Sequence, residues 1–154
     1  MCAILDNNVR DEVFGENQSE AGKYFFDSLS SGNGKLVVGG ALLRELGGYR
    51  RFAQWLQQAV NSGIAIYIDD SDVNAETERL MTQVDCRSDD EHVLGLAIVS
   101  GARLLFTNDR ALQDDFRDRQ IIPGIRGRVY TTIEYRDVRS SHRNLLRRND
   151  LCNI

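Results

Sequence analysis

Short apolar runs alternate with longer amphipathic stretches along almost all of this 154-residue chain. Residues 3–5, 35–38, 64–68, 103–106 and 128–132 are apolar or β-branched segments of strand length. Between them, residues 19–30, 41–46, 49–61, 72–84, 88–100 and 109–116 carry helical signals. In the second of the longer helices Phe52, Trp55, Leu56, Ala59 and Val60 form one stripe, and Gly63 follows as a stop. Ser88 followed by Glu91 reads as a capping box, and Gly101 closes that helix. Strands that alternate with helices require crossover connections, which are right-handed. The expected fold class is therefore α/β, with a mostly parallel sheet covered by helices on both faces. In such sheets ligands bind beyond the carboxyl ends of the strands, where the strand order reverses.

Four acidic residues fall at places that suit such a site. Asp6 closes the apolar run Ala3-Ile4-Leu5, and Asp109 follows Leu104-Leu105-Phe106 after Thr107-Asn108. Glu45 lies among Leu42, Leu43 and Leu46, and Asp90 opens a helix with Val93, Leu94 and Ala97 on its own side. Each has an ordinary structural reading: an Asx-turn for Asp6, a helix N-cap for Asp109, a dipole complement for Asp90 and a solvated helix residue for Glu45. Each also has a chemical reading. Carboxylates beside apolar residues need a positive neighbour, and several converging would coordinate a hard divalent cation. Asp89 has apolar residues at offsets similar to those of Asp90, so the choice between the two stays open.

Charge and cysteine content narrow the function classes. The net charge of −4 is unevenly spread. Residues 117–148 hold nine arginines against Asp118, Glu134 and Asp137, a local +6 that leaves −10 for the rest. Only Lys23 and Lys35 among the 19 basic residues are lysines, and the planar guanidinium fork matches phosphate oxygens. In the tail, Arg139, Arg143, Arg147 and Arg148 are candidate RNA contacts. Trp55, Phe52 and Tyr49 could stack bases, but their helical spacing favours packing in a core or subunit interface. Three cysteines without a CxxC spacing read as unpaired thiols in a reducing, cytoplasmic setting. No apolar run approaches membrane-spanning length, and the opening Met1–Asp6 stretch does not read as a signal peptide. No Ser-His-Asp or Cys-His arrangement is present, and His92 reads as a structural histidine. Asp6-Asn7-Asn8 lacks both the acid pair of a receiver domain and the Asp-x-Asp of an aspartyl phosphatase.

The segments "AILDNNV", "ALLRELGG" and "SDDEHVLGLAIVSGARLLFTND" resemble, in that order, the motifs of the PIN-domain ribonucleases, a family that includes the VapC-like toxins. The resemblance covers residues 3–132. It implies a three-layer α/β/α sandwich with a five-stranded, mostly parallel sheet. A nuclease domain would occupy residues 1–136, and residues 137–154 would form a basic C-terminal tail. The implied activity is a Mg²⁺- or Mn²⁺-dependent endoribonuclease that cuts single-stranded RNA, as the toxin of a type II toxin–antitoxin pair. An antitoxin protein and a second copy of the chain would be its partners. Asp6, Glu45, Asp90 and Asp109 would be both catalytic residues and metal ligands, supported by Thr107 and Asn8. The alternative within the same resemblance is a catalytically inactive module that binds RNA or protein. Ala111 and Leu112 stand where many members carry a further acid, with Asp114 and Asp115 following.

Overall fold

The computed structural model describes residues 1–132, 140–152 and 154. Five parallel strands form one sheet: β1 (Cys2–Leu5), β2 (Lys35–Val38), β3 (Ala65–Tyr67), β4 (Leu104–Phe106) and β5 (Arg128–Tyr130), in spatial order β3-β2-β1-β4-β5. The helices are α1 (Arg10–Phe14), α2 (Glu20–Ser30), α3 (Gly40–Gly47), α4 (Arg50–Asn61), α5 (Asp70–Gln83), α6 (Glu91–Ser100), α7 (Arg110–Arg117) and α8 (Ser140–Leu145). The expected α/β/α architecture is present. Strand β1 leads leftward to β2 and β3, whereas β4 and β5 lie on its other side. Right-handed crossovers put α1, α2 and α4 over one face and α5–α7 over the other, while α3 packs against α5 and α6. Helix α1 packs on α2 and α4, and α5 packs along α6.

The strands are nearly all buried because both faces are covered. Cys2 to Leu5 and Leu104 to Phe106 have no exposed surface, as an all-parallel sheet demands. Phe25, Phe106 and Tyr130 fill the layer beside the sheet, with ring centroids 4.7–5.9 Å apart, and the Tyr130 hydroxyl donates to the Ala21 carbonyl at 2.8 Å. Phe14, Phe26, Phe52 and Trp55 form a second aromatic group. The helical stripe of Phe52 and Trp55 is thus a packing surface. Val60, expected on that stripe, is exposed instead.

Three sequence readings need correction. The chain forms a 3-10 turn (Asn7–Val9) and α1 directly after β1, which the apolar pattern did not signal because both elements are short. Helix α6 starts at Glu91 with Asp90 as its N-cap, so Ser88 and Glu91 do not form a capping box. The Ser88 hydroxyl donates to Asp115 instead. Cysteines 2 and 152 are not free: a disulfide joins them, with Cα atoms 4.7 Å apart. The reason is topological. Ala102 and Cys152 pair as an antiparallel bridge, and the Arg103 amide donates to the Leu151 carbonyl, which brings the C-terminal segment to the start of β1. Cys86 is the free thiol among the described residues.

The described part of the predicted tail packs on the domain, with Leu146 and Leu151 in the same core. The boundary placed between residues 136 and 137, and Arg139, lie outside the described residues. Among the described residues, no helix is long and apolar enough to cross a membrane.

Candidate active site

The strand order reverses between β1 and β4, and that switch point is where the candidate residues gather. Register sets the first contact. Leu5 pairs with Phe106, so the next residue on each strand, Asp6 and Thr107, also lie side by side. The Asp6 amide donates to the Phe106 carbonyl at 3.0 Å, extending the ladder by one bond. Thr107, fully buried, donates its hydroxyl proton to Asp6 Oδ2 at 2.6 Å. Asn8 reaches the same hydroxyl through its side-chain amide at 3.3 Å. The Asp109 amide donates to Thr107 Oγ1 at 3.0 Å. Thr107 and Asn8 thus join the hydrogen-bond network that holds Asp6 and the Asp109 amide.

Asp6 is 6% exposed. Burial raises its pKa above the ordinary carboxylate value. The Thr107 hydroxyl, the Asn8 and Asn7 amides and the charge of His92 offset part of that rise.

Asp90 is half-buried at the start of α6, whereas Asp89 is exposed. Burial pushes the Asp90 carboxyl up to about 6, and the negative charges of Asp6, Asp109 and Glu45 add to the rise against the pull of His92. These interactions put the four predicted carboxylates in one electrostatic neighbourhood, with Asp90 half-buried in it and Asp89 exposed beside it. Asp109 is the N-cap of α7, with Oδ1 accepting the Leu112 amide at 2.8 Å. Its structural reading is thus realised beside its place near Asp90.

Glu45 comes from α3, which starts immediately after β2. The Gly39-Gly40 turn makes that possible: Gly40 has φ +58°, and a Cβ there would meet Val73. Asp70 fixes the turn by accepting the Gly40 amide at 2.7 Å. Glu45 is more exposed than the aspartates, and its Oε1 lies 3.3 Å from His92 Nε2. That approach lacks hydrogen-bond geometry, because buried Nε2 has no hydrogen-bond partner. His92 thus lies beside Glu45, with its buried Nε2 unpartnered among the described residues. Its position two residues after Asp90, in the first turn of α6, was the available signal.

Asp115 is a further residue whose role the sequence did not reveal. It is fully buried and accepts the Arg87 and Ser88 amides, both at 2.9 Å through Oδ2, together with the Ser88 hydroxyl at 3.0 Å. The Arg87 guanidinium adds a 3.0 Å contact. Asp115 thus anchors the loop that delivers Asp90, with both its oxygens engaged by Arg87 and Ser88. Its i+3 spacing from Leu112 on the apolar side of α7 was the clue to its burial.

Among the described residues, no three histidine, cysteine or acidic side chains stand close enough together to grip an ion without side-chain movement. Chemically the set offers oxygen donors of the kind a divalent cation takes, two of them held above the ordinary carboxylate pKa, and among the described residues no arginine or lysine pairs with any of the four. Of the predicted RNA contacts, Arg143, Arg147 and Arg148 lie away from these carboxylates. The Arg143 guanidinium sits 4.7 Å over the Tyr24 ring, and Arg148 is paired with Asp150. Arg147 lines a cleft with Ser28, Ser31 and Asn33 ahead of β2, at the opposite edge of the sheet from Asp6. No protein-family model, curated protein or solved structure matches the chain.

Proposed function

We propose that the protein is a Mg²⁺- or Mn²⁺-dependent endoribonuclease acting on single-stranded RNA. Asp6, Asp90 and Asp109 would hold the ion, and Glu45 would complete the acidic set. One observation supports this reading: four carboxylates share the switch point of a parallel sheet, where burial first and their mutual charge second push the Asp90 carboxyl up to about 6. A bound dication would relieve the repulsion among these acids. When bound, the ion would lower the pKa of a coordinated water and neutralise charge developing on the attacked phosphate. The protein's own part is orientation. Thr107 fixes one Asp6 oxygen, the α7 cap holds one Asp109 oxygen, and Asp115 fixes the loop before Asp90. A toxin role, an antitoxin partner and a homodimer rest on the family resemblance alone.

The test is incubation of the protein with structured and unstructured RNAs, with Mn²⁺ and with a chelator, followed by end mapping. Metal-dependent cuts leaving 5′-phosphate and 3′-hydroxyl ends are expected in unpaired regions. Asp90→Asn and Asp109→Asn should each reduce the rate by at least about 100-fold. Asparagine caps helices about as well as aspartate, so loss in Asp109→Asn would report chemistry, not unfolding. Full activity in both variants would refute the assignment.

The commitment of Asp109 Oδ1 to the α7 cap and the exposure of Glu45 favour a second reading, an inactive PIN-like module that binds RNA or protein. RNA binding without any metal-dependent cleavage would select it.

A further inference from the structure

The edge of the sheet opposite the carboxylates carries a cleft of about 200 Å³ lined by Arg117, Arg126, Gly127, Arg128, Val129 and Leu145. Arg117 lies in the last turn of α7, and Arg128 is the first residue of β5. Gly127 brings them together. A Cβ at that position would stand 2.3 Å from the Phe116 carbonyl oxygen, so only glycine lets the backbone lie against the end of α7. Arg126 and Arg128 therefore flank the segment that carries Arg117. The loop before them is fixed by Arg103, which donates to the Ala97, Ala102 and Pro123 carbonyls at 2.6–3.2 Å.

The neighbouring acids are engaged with other arginines. Asp115 and Asp118 contact Arg87, and Asp150 pairs with Arg148. Arg128 feels the charge of Asp150 without forming an ion pair with it. Among the described residues, the side chains of Arg117, Arg126 and Arg128 form no ion pair and no hydrogen bond. The carbonyl end of α7 offers some compensation for Arg117. It does not account for three guanidinium groups around one cavity.

We propose that this cleft binds a phosphate of a single-stranded nucleic acid chain, as an anchor separate from the carboxylate edge. Guanidinium forks match phosphate oxygens in pairs, which explains arginine here in place of lysine. The volume is below the roughly 300 Å³ at which ordinary small-molecule sites begin, so it suits a phosphodiester group better than a whole nucleotide. The identity of the ligand rests on the ribonuclease reading; the existence of an anion site does not. The cleft and Asp109 lie at opposite ends of β4, β5 and α7, which spans 8 residues or about 12 Å of helix. A strand of a few nucleotides reaches from one to the other.

The test measures anisotropy of a labelled 12-nucleotide pyrimidine RNA in chelator, where no metal-dependent cleavage can occur. Arg126→Ala/Arg128→Ala should weaken binding at least tenfold and make the slope of log K against log salt shallower by about 1.4, two phosphate contacts at about 0.7 each. Arg126→Lys/Arg128→Lys should keep the salt slope while losing part of the affinity with the fork geometry, which separates charge from folding. Arg50→Ala, an exposed arginine on α4, should change nothing. Unchanged affinity and slope in the alanine pair would overturn the proposal. Competition by inorganic pyrophosphate at concentrations near the RNA's own Kd would overturn the nucleic-acid assignment in favour of a small phosphate ligand. The two readings fail separately: arginine-dependent binding without cleavage leaves the anchor and removes the nuclease, and cleavage indifferent to these arginines does the reverse.

Discussion

Asp90 keeps its proton nearly to neutrality because it is half-buried and faces Asp6, Asp109 and Glu45. The consequence for stability has a definite sign. Its folded pKa of about 6 lies above its ordinary value of 3.8, so the stabilisation is full below about pH 3.8 and is lost as pH rises through about 6. Without divalent cations the protein should therefore melt at a higher temperature at pH 5 than at pH 7.5. The effect amounts to about 1–2 kcal/mol once solvent screening of a half-exposed group is allowed for. Asp90→Asn should flatten that dependence and raise metal-free stability at pH 7.5. Thermal melts across pH in chelator would check this, and an identical pH profile in the variant would remove the electrostatic account of the site. Mg²⁺ should raise the melting temperature at pH 7.5 more than at pH 5, since protonated Asp90 is a poor ligand. Asp6→Asn should weaken that response, and an unaltered melting curve in excess Mg²⁺ would count against ion binding.

At the scale of elements, α7 does more than cover the sheet. Through Asp115 it holds Arg87 and Ser88, and so the approach of the chain to α6 and Asp90. Asp115→Ala would strand two backbone amides and a hydroxyl in a buried place, with an expected loss of about 3 kcal/mol. Arg87→Ala should cost less than about 1 kcal/mol, because the guanidinium is half exposed and the amides keep their acceptor. Urea denaturation of the two variants would separate these values, and equal losses would show that the ion pair, not the backbone anchoring, matters. These contacts also mark what can be read from a chain. Strand positions 35–38 and the start of α2 at Ser19 follow from local pattern, as does the Gly101 stop, because each is fixed by neighbours in sequence. The Ser88 capping box did not survive because a partner 27 residues away outbids a local one. The approach of His92 to Glu45 was not legible for a similar reason: Glu45 comes from another crossover, and no periodicity encodes that meeting.

At the scale of the whole molecule, the four candidate carboxylates lie at the carboxyl edge of the sheet, and Arg117, Arg126 and Arg128 lie where α7 ends and β5 begins. Each sign complements the helix ends at its own edge, which makes the uneven charge distribution of the sequence a feature of the fold as well as of any ligand. The disulfide sits at the arginine edge and ties the C-terminal segment to β1, the strand that ends in Asp6. Its half-cystines are 150 residues apart, so it closes nearly the entire chain into one loop. Constraint of the unfolded chain over such a loop is worth about 5 kcal/mol in the chain-entropy model, and native disulfides commonly deliver about 2–5. Reduction should thus lower the melting temperature by roughly 10 °C for a domain of this size. Cys152→Ser should reproduce the shift and make the protein insensitive to reductant, whereas Cys86→Ser should leave both properties unchanged. Scanning calorimetry with and without dithiothreitol reads all three. Oxidised and reduced protein melting together would mean that the C-terminal segment is held by Leu146, Leu151 and the Ala102–Cys152 bridge without help from the covalent bond.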